Sequence, residues 1–240
     1  PAASHCAMEP HAAVAYIDQR GRLVVISTTQ VPFHARRIVS KLIELPLHQI
    51  RVIKPRIGGG FGGKQEVILE PLVALVAWRH KRPARLILSR REVFVATRTR
   101  HAADLHLKTA AAKDGSITAM QMDCLLEAGA YGTHSLTVLS NVGSKVLPLF
   151  NKVENIRFHG RSVYTSLPVS GAYRGYGATQ GYFAWNQQID AVARWAGQDV
   201  VEYCKRWHIK AGETSGVFKA LGDENRLAIF ECRHHELGLS

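Results

Sequence analysis

With 240 residues, of which 46% are apolar and 21% charged, the chain can bury a sizeable core as one large domain or two smaller ones, and its composition excludes a disordered or collagen-like protein. It contains no apolar run of the roughly 18 to 20 residues that a membrane-spanning helix needs, and no charged-then-apolar signal segment at its start, so the expectation is a soluble, cytoplasmic protein. The net charge of +12 would draw a polyanion, but the basic residues fall in short scattered groups such as Arg36-Arg37, Arg90-Arg91 and Lys205-Arg206, without a nucleic-acid motif; a solvated basic surface, an anionic cofactor and an acidic partner subunit account for them better than nucleic acid does.

In chain order, Ala13 to Tyr16 and Leu23 to Ser27 read as a hairpin around Asp18-Gln19-Arg20-Gly21, and Val31 to Leu45 as an amphipathic helix with Pro32 at its start. Ile50 to Ile53 suits a short strand. Val67 to Trp78 suits a mostly buried helix with Pro71 near its first turn. Arg85 to Ser89, Ala103 to Thr109 and Ile117 to Leu126 read as strands, the last two joined by a turn at Lys113-Asp114-Gly115-Ser116. Glu127 to His134 reads as a loop, Val153 to Tyr164 as strand, and Gln180 to Trp195 and Val200 to Lys210 as helices. Without internal repeats or a low-complexity linker, the pattern predicts an α+β protein of mixed sheets with packed helices.

Two glycine-rich segments interrupt this pattern. Ile57-Gly58-Gly59-Gly60-Phe61-Gly62-Gly63-Lys64-Gln65 places five glycines in six positions, a density that marks backbone with positive φ or close approach to another group. Strand, glycine loop and helix in that order can present N–H groups to an anion. Gly58 to Lys64 has the glycine and lysine spacing of a Walker loop, yet Gln65 stands where Ser or Thr would hold magnesium; Gly58, Gly60 and Gly63 satisfy the dinucleotide spacing without the acidic residue expected downstream. The second segment, Gly171 to Gly181, combines four glycines with Tyr173, Arg174, Tyr176 and Gln180. Arg174 offers a rigid fork of donors for an oxyanion, and two such loops suggest one large polar ligand. Cys6, Cys124, Cys204 and Cys232 lie far apart, with no zinc or iron-sulfur spacing, and His101, His134 and His208 have no metal-spaced companion.

The pair Gly-Gly-Gly-Phe-Gly-Gly-Lys and Ala-Tyr-Arg-Gly-Tyr-Gly-Ala-Thr-Gln resembles the pterin-binding loops of the molybdenum hydroxylases, the xanthine dehydrogenase and aldehyde oxidase family, in its molybdenum-binding subunit. The likeness runs from about Cys6 to Ile209 and takes in Met8-Glu9-Pro10-His11, Ser27-Thr28-Thr29-Gln30, Arg98-Thr99-Arg100-His101 and Gly129-Ala130-Tyr131-Gly132. It implies a molybdenum-molybdopterin cofactor, with a cytosine dinucleotide form as one option, and oxidative hydroxylation of an aromatic heterocycle or aldehyde with water as the oxygen source. Electrons would pass to iron-sulfur clusters and FAD on partner chains. By the same resemblance Gln30 would hydrogen-bond near the metal's oxo group. Gly60, Phe61, Gly62, Arg174 and Gly175 would line the cofactor, and Gln65 and Tyr176 would face a small-molecule substrate. Lys64 is a candidate phosphate contact.

Two departures qualify the expectation. Gln65 replaces a glutamate that xanthine-oxidising relatives often carry, and the family's general-base glutamate near the end of its subunit has no counterpart, since Glu236 lacks the glycine-rich context. No residue is therefore assigned as catalytic base or as a direct metal ligand, and the chain alone is expected to be severely impaired or inactive. The reading is a partial molybdopterin-binding domain over 1–213, to be completed by a C-terminal part, followed by an irregular tail over 214–240 in which Phe218 to Leu227 faintly resembles the opening helix of a winged-helix repressor. A non-catalytic cofactor-binding fragment, a phosphate-loop nucleotide-binding protein and a basic nucleic-acid-binding module are the alternatives.

Overall fold

The computed structural model describes residues 3–150, 153 and 155–210, so the tail expected over 214–240 and the segment from Phe218 to Leu227 lie outside the described residues. The chain divides into two compact units, one formed by Pro1–Arg100 with Leu167–Arg174, the other by His101–Ser166 and the described residues from Gly175 onward.

In the first unit, β1 (Ala12–Ile17) and β2 (Leu23–Ser27) form the expected hairpin, with Ala13 opposite Ser27. Asp18 Oδ1 accepts from the Arg20 and Arg22 N–H groups at 2.9 Å each, which closes the turn. β3 (Ile50–Ile53) adds parallel to β2 and β4 (Ala84–Ile87) antiparallel to β1, giving the order β3-β2-β1-β4. Helices α1 (Pro32–Ile43) and α2 (Glu70–His80) pack Val39, Val73, Ala74 and Ala77 against Ala13, Ala15, Leu23 and Val25. Alanines on both surfaces let α2 lie close to β1.

Helix α2 starts three residues later than its apolar run suggests. The Glu70 carboxylate accepts from the Ile68 and Leu69 N–H groups at 3.1 and 3.2 Å, fixing Val67 to Leu69 outside the helix, and Pro71 occupies the first turn. The helix is buried on one side only, since Leu72, Leu75 and Val76 are exposed. A short helix, α3 (Arg90–Ala96), follows β4 and was not anticipated; Ser89 and Glu92 form a reciprocal capping box that starts it.

In the second unit, β5 (Ala103–Ala111) pairs antiparallel with β6 (Ile117–Gly129), which pairs parallel with β7 (Asn155–Tyr164). The expected turn at Asp114-Gly115 joins β5 to β6, with Gly115 at φ +88°. β6 runs to Gly129, three residues past the boundary read from sequence. Met120, Met122, Cys124 and Leu126 alternate inward along it. Three helices complete the unit: α4 (Ser135–Ser144), between β6 and β7, and α5 (Ala178–Trp195) and α6 (Val200–Trp207), after β7. They bury Val138, Leu139, Val142, Trp185, Ile189 and Tyr203 with Phe150 and Phe158 in one apolar cluster. Gly181 permits the approach of α5 to α4, because a Cβ there would lie 2.4 Å from the Val142 carbonyl oxygen. α6 ends at Trp207, earlier than Lys210, with Asp199 capping its start.

Candidate functional site: the braced glycine loop

The first unit holds the glycine loop by side chains that reach it from distant segments. Gln30 is its main brace. The Gln30 N–H donates to the Lys64 carbonyl at 2.8 Å, while Oε1 accepts from the Gly62 and Lys64 N–H groups at 3.0 and 3.2 Å. Gly60 has to be glycine for this, since a Cβ would lie 2.5 Å from Gln30 Oε1. Phe61 takes φ +51° between Gly59 at +94° and Gly62 at +96°, a strained stretch of backbone stabilised from outside. Phe61 is 48% exposed, so its burial does not account for the strain.

Three more residues fix the loop. The Glu9 carboxylate accepts from the Gly58 N–H at 2.9 Å and from the Lys64 ammonium at 2.8 Å, and the Glu9 N–H donates to Gly58 O at 3.1 Å. His11 Nε2 lies 2.9 Å from Gly63 O, and His5 Nε2 lies 2.7 Å from Ala172 O. A carbonyl only accepts, so each ring carries a proton on Nε2. Burial, first of all, holds both imidazoles below their ordinary value; the neighbouring Lys64 and Arg98 add to this for His11, and His11 and Arg100 for His5. Burial pushes the Glu9 carboxyl up, but the hydrogen bonds from Lys64 and Gly58 outweigh it and leave the group below the usual carboxylate range.

The first half of the second glycine segment packs on this loop. A Cβ on Gly62 would meet Ala172 O at 2.7 Å, and one on Gly63 would meet the His5 ring at 2.8 Å. His5 stacks on Tyr173 with 4.1 Å between centroids, the Arg100 guanidinium lies 4.0 Å from the centre of the same ring, and Arg100 Nη2 donates to Arg174 O at 2.6 Å. Gly171 bonds back to Thr99, N–H to O at 3.0 Å. The Arg174 guanidinium itself is exposed and has no ion-pair partner among the described residues.

The expected site residues thus fall into two groups. Gln30, Gly60, Phe61, Gly62, Gln65 and Arg174 belong to the first unit, and Gln30 and Gly62 are in direct contact. Gly175 and Tyr176 belong to the second. There Gly175, Tyr176 and Gly177 all have positive φ, Gly177 comes so close to the Val138 carbonyl that a Cβ would lie 2.1 Å away, and the half-buried Tyr176 hydroxyl pairs with His134 Nδ1. Two of the expected contacts have partners within the chain: Lys64 is 2% exposed and ion-paired with Glu9, and the Gly62 N–H donates to Gln30 Oε1. The Phe61 N–H and the Gln30 Nε2 amide, by contrast, have no acceptor among the described residues.

His5, Glu9, His11 and Arg100 are the site residues to which sequence reasoning gave no role. Their separations of about 50 residues and more from the loops carry no spacing signal. Glu9, His11 and Arg100 do fall inside the ordered motifs quoted above, which was the one clue available.

Residues 1–207 match the family described as the molybdopterin cofactor-binding domain. Among relatives, the probable hypoxanthine oxidase XdhD of Escherichia coli (strain K12) is 37% identical over 221 residues, 92% of this chain and 23% of that protein. The nicotinate dehydrogenase large molybdopterin subunit of Eubacterium barkeri is 34% identical over 83% of this chain and 47% of its own length. Among solved structures, quinoline 2-oxidoreductase from Pseudomonas putida 86 superposes with a TM-score of 0.81 at 31% identity, over 88% of this chain and 28% of that one. The aldehyde oxidoreductase of Desulfovibrio gigas gives 0.80 at 29%, over 87% and 23%. The chain therefore spans from under a quarter to about half of these relatives. A braced glycine loop, an ordered set of motifs and a shared fold agree, and this chain belongs to the molybdopterin cofactor-binding domain family.

Proposed function

We propose that the chain is the cofactor-binding part of a molybdenum hydroxylase of the xanthine dehydrogenase and aldehyde oxidase type, acting on an aromatic heterocycle or an aldehyde. The observation that carries this reading is the Gln30 brace: one amide fixes the glycine loop through Oε1, and its Nε2 donors, like the Phe61 N–H of that loop, have no acceptor among the described residues. Donors preorganised in this way suit an oxygen-rich anionic group, and the exposed Arg174 fork adds a cation for it. A bound molybdopterin would supply the oxygen-transfer and two-electron chemistry.

The residues of this chain would bind and orient. Gln30 Nε2, Phe61 N–H and Arg174 would hold the cofactor, Gly60 and Gly175 would let the backbone come close, and Gln65 and Tyr176 would contact substrate. Around the first loop Glu9 is committed to Lys64 and Gly58, and Glu70 to Ser27 and two N–H groups. The proton acceptor would then come from another part of the enzyme, as would the iron-sulfur and flavin groups that remove electrons. The cytosine dinucleotide form of the pterin and a cytoplasmic setting belong to this same proposal; among the described residues no helix is long and apolar enough to cross a membrane.

The nucleotide-binding alternative loses its key residue, since the Lys64 ammonium is buried against Glu9. Molybdenum and pterin content of the purified chain, expressed with and without candidate iron-sulfur and flavin subunits, tests the proposal. Stoichiometric cofactor that falls at least tenfold in Gln30→Ala and Arg174→Ala supports it. Cofactor absent under both conditions, or occupancy unchanged in both variants, overturns it.

A further inference from the structure

Beneath the glycine loop lies a small cavity of about 10 Å³ lined by His11, Ser27, Thr29, Lys64, Glu66 and Glu70, among others. Two of its walls carry unmet hydrogen-bonding capacity. His11 Nδ1 is buried without a partner, and since the other ring nitrogen carries the proton that goes to Gly63 O, Nδ1 is an acceptor. The Lys64 ammonium has three donors, is 98% shielded from solvent, and has one acceptor among the described residues, Glu9 Oε2. A buried amine donor and a buried imine acceptor, on two residues that line one polar cavity and not bonded to each other, each forfeit a hydrogen bond unless something joins them.

We propose that this cavity holds one internal water molecule, which accepts from Lys64 Nζ–H and donates to His11 Nδ1. The volume is that of a single water, and a polar lining is what a hydrated cavity requires. Charge selects the same occupant. The Lys64 ammonium repels a sodium or potassium ion, while the Glu66 and Glu70 carboxylates in the lining repel chloride. A neutral molecule that both donates and accepts fits both. The water closes a ring of contacts in which Glu9 holds Gly58, Lys64 holds Glu9, and His11 holds Gly63, so the base of the loop is tied on both sides of its strained centre. None of this depends on which cofactor the loop carries.

A high-resolution crystal structure of the purified protein, with anomalous data, tests the site. The expected result is one spherical peak at about 2.7–3.2 Å from both Lys64 Nζ and His11 Nδ1, without anomalous signal. A dry cavity, an anomalous scatterer in it, or a direct Lys64–His11 hydrogen bond overturns the proposal. In solution, ¹⁵N spectra of histidine-labelled protein report the same nitrogen. His11 Nδ1 at the position of a hydrogen-bonded acceptor is expected, with movement towards the bare-acceptor position in Lys64→Met; a bare acceptor nitrogen in the parent protein overturns it.

Discussion

The two units are held by different means. The first carries 18 Lys and Arg against 6 Asp and Glu, the whole net charge of +12, whereas the rest of the sequence carries 13 of each. The first has a core of alanine, valine, leucine and isoleucine and stabilises its glycine-loop backbone with polar braces: Gln30, Glu9, His5 and His11. The second packs Phe150, Trp185 and Tyr203 in one cluster and brings its glycines against helix backbone. Apolar packing is non-directional and sums over area, so it holds helices on a sheet. It does not specify where each N–H of a loop must point. Hydrogen bonds do that, at the cost of burying polar groups that must all be satisfied. The difference between the units is therefore one between stability and placement, and substitutions should separate the two.

The largest effect is expected from Trp185→Ala, which would open a cavity in the second unit and cost about 3–5 kcal/mol. Thermal unfolding with region-resolved hydrogen exchange should show the loss in β6, α4 and α5, and protection of the first unit's strands should change much less. Next is Gly62→Ala, where positive φ and a Cβ 2.7 Å from Ala172 O act together. The expected cost is about 2–4 kcal/mol, with release of bound pterin. Gly21→Ala is its control, because Gly21 also has positive φ but nothing lies within 4 Å of its would-be Cβ. About 1 kcal/mol is expected there, with no pterin loss. Equal effects at the two positions would mean that strain, and not close approach, is what Gly62 avoids.

Lys64→Met comes third. It breaks a pair of which Lys64 is fully buried and Glu9 about one third exposed, so about 2–3 kcal/mol is expected. Chemical denaturation measures it, and a change below about 0.5 kcal/mol would show that the ion pair adds nothing net. This residue also marks where sequence reading reached its limit. The hairpin, β2 and β3 were legible residue by residue because alternation and turn chemistry are local. So was the glycine density, which reports backbone geometry whatever the ligand. α4 was not: Ser135, Thr137, Ser140, Asn141 and Gly143 give it poor helix propensity, and only packing of Val138, Leu139 and Val142 on β6 and β7 makes it a helix. α3 was legible in principle from Ser89 and Glu92 but is only seven residues long. At the glycine loops, Gln30 and Arg174 were singled out through the ordered motifs, and their contacts with a cofactor belong to the proposed function. The burial of Lys64 was not legible because whether a lysine is solvated or buried depends on Glu9, 55 positions away.

Acid should act on the first unit before the second. His5 and His11 are held neutral, so the unfolded chain binds their protons more readily than the folded one. Their contribution is fully present above the unfolded value of about 6.5 and is lost as pH falls through 6.5 towards their folded values. In the second unit burial likewise lowers the His208 imidazole. Hydrogen exchange compared at about pH 7.5 and 5 covers that window before the carboxylates titrate. Protection should fall around the glycine loop and the 167–174 segment more than in β5 to β7, and His11→Gln should reduce the difference. Uniform loss in both units would locate the acid sensitivity elsewhere.

The smallest effect sharpens the comparison most directly. Arg194 and Asp190 pair on the surface of α5 at i,i+4 spacing, with the arginine side chain 78% exposed. Lys64 and Glu9 involve the same kinds of charge across 55 positions of chain with the lysine side chain 1% exposed. In water the attraction of an exposed pair is screened and two long side chains lose freedom to make it, so Arg194→Ala should change stability by no more than about 0.5 kcal/mol. Raising the salt concentration should shrink that change further and leave the effect of Lys64→Met nearly unaltered, because a buried pair is screened far less. If salt weakened both alike, the Lys64–Glu9 pair would be exposed in solution, and the glycine loop would owe its placement to Gln30 and the two histidines alone.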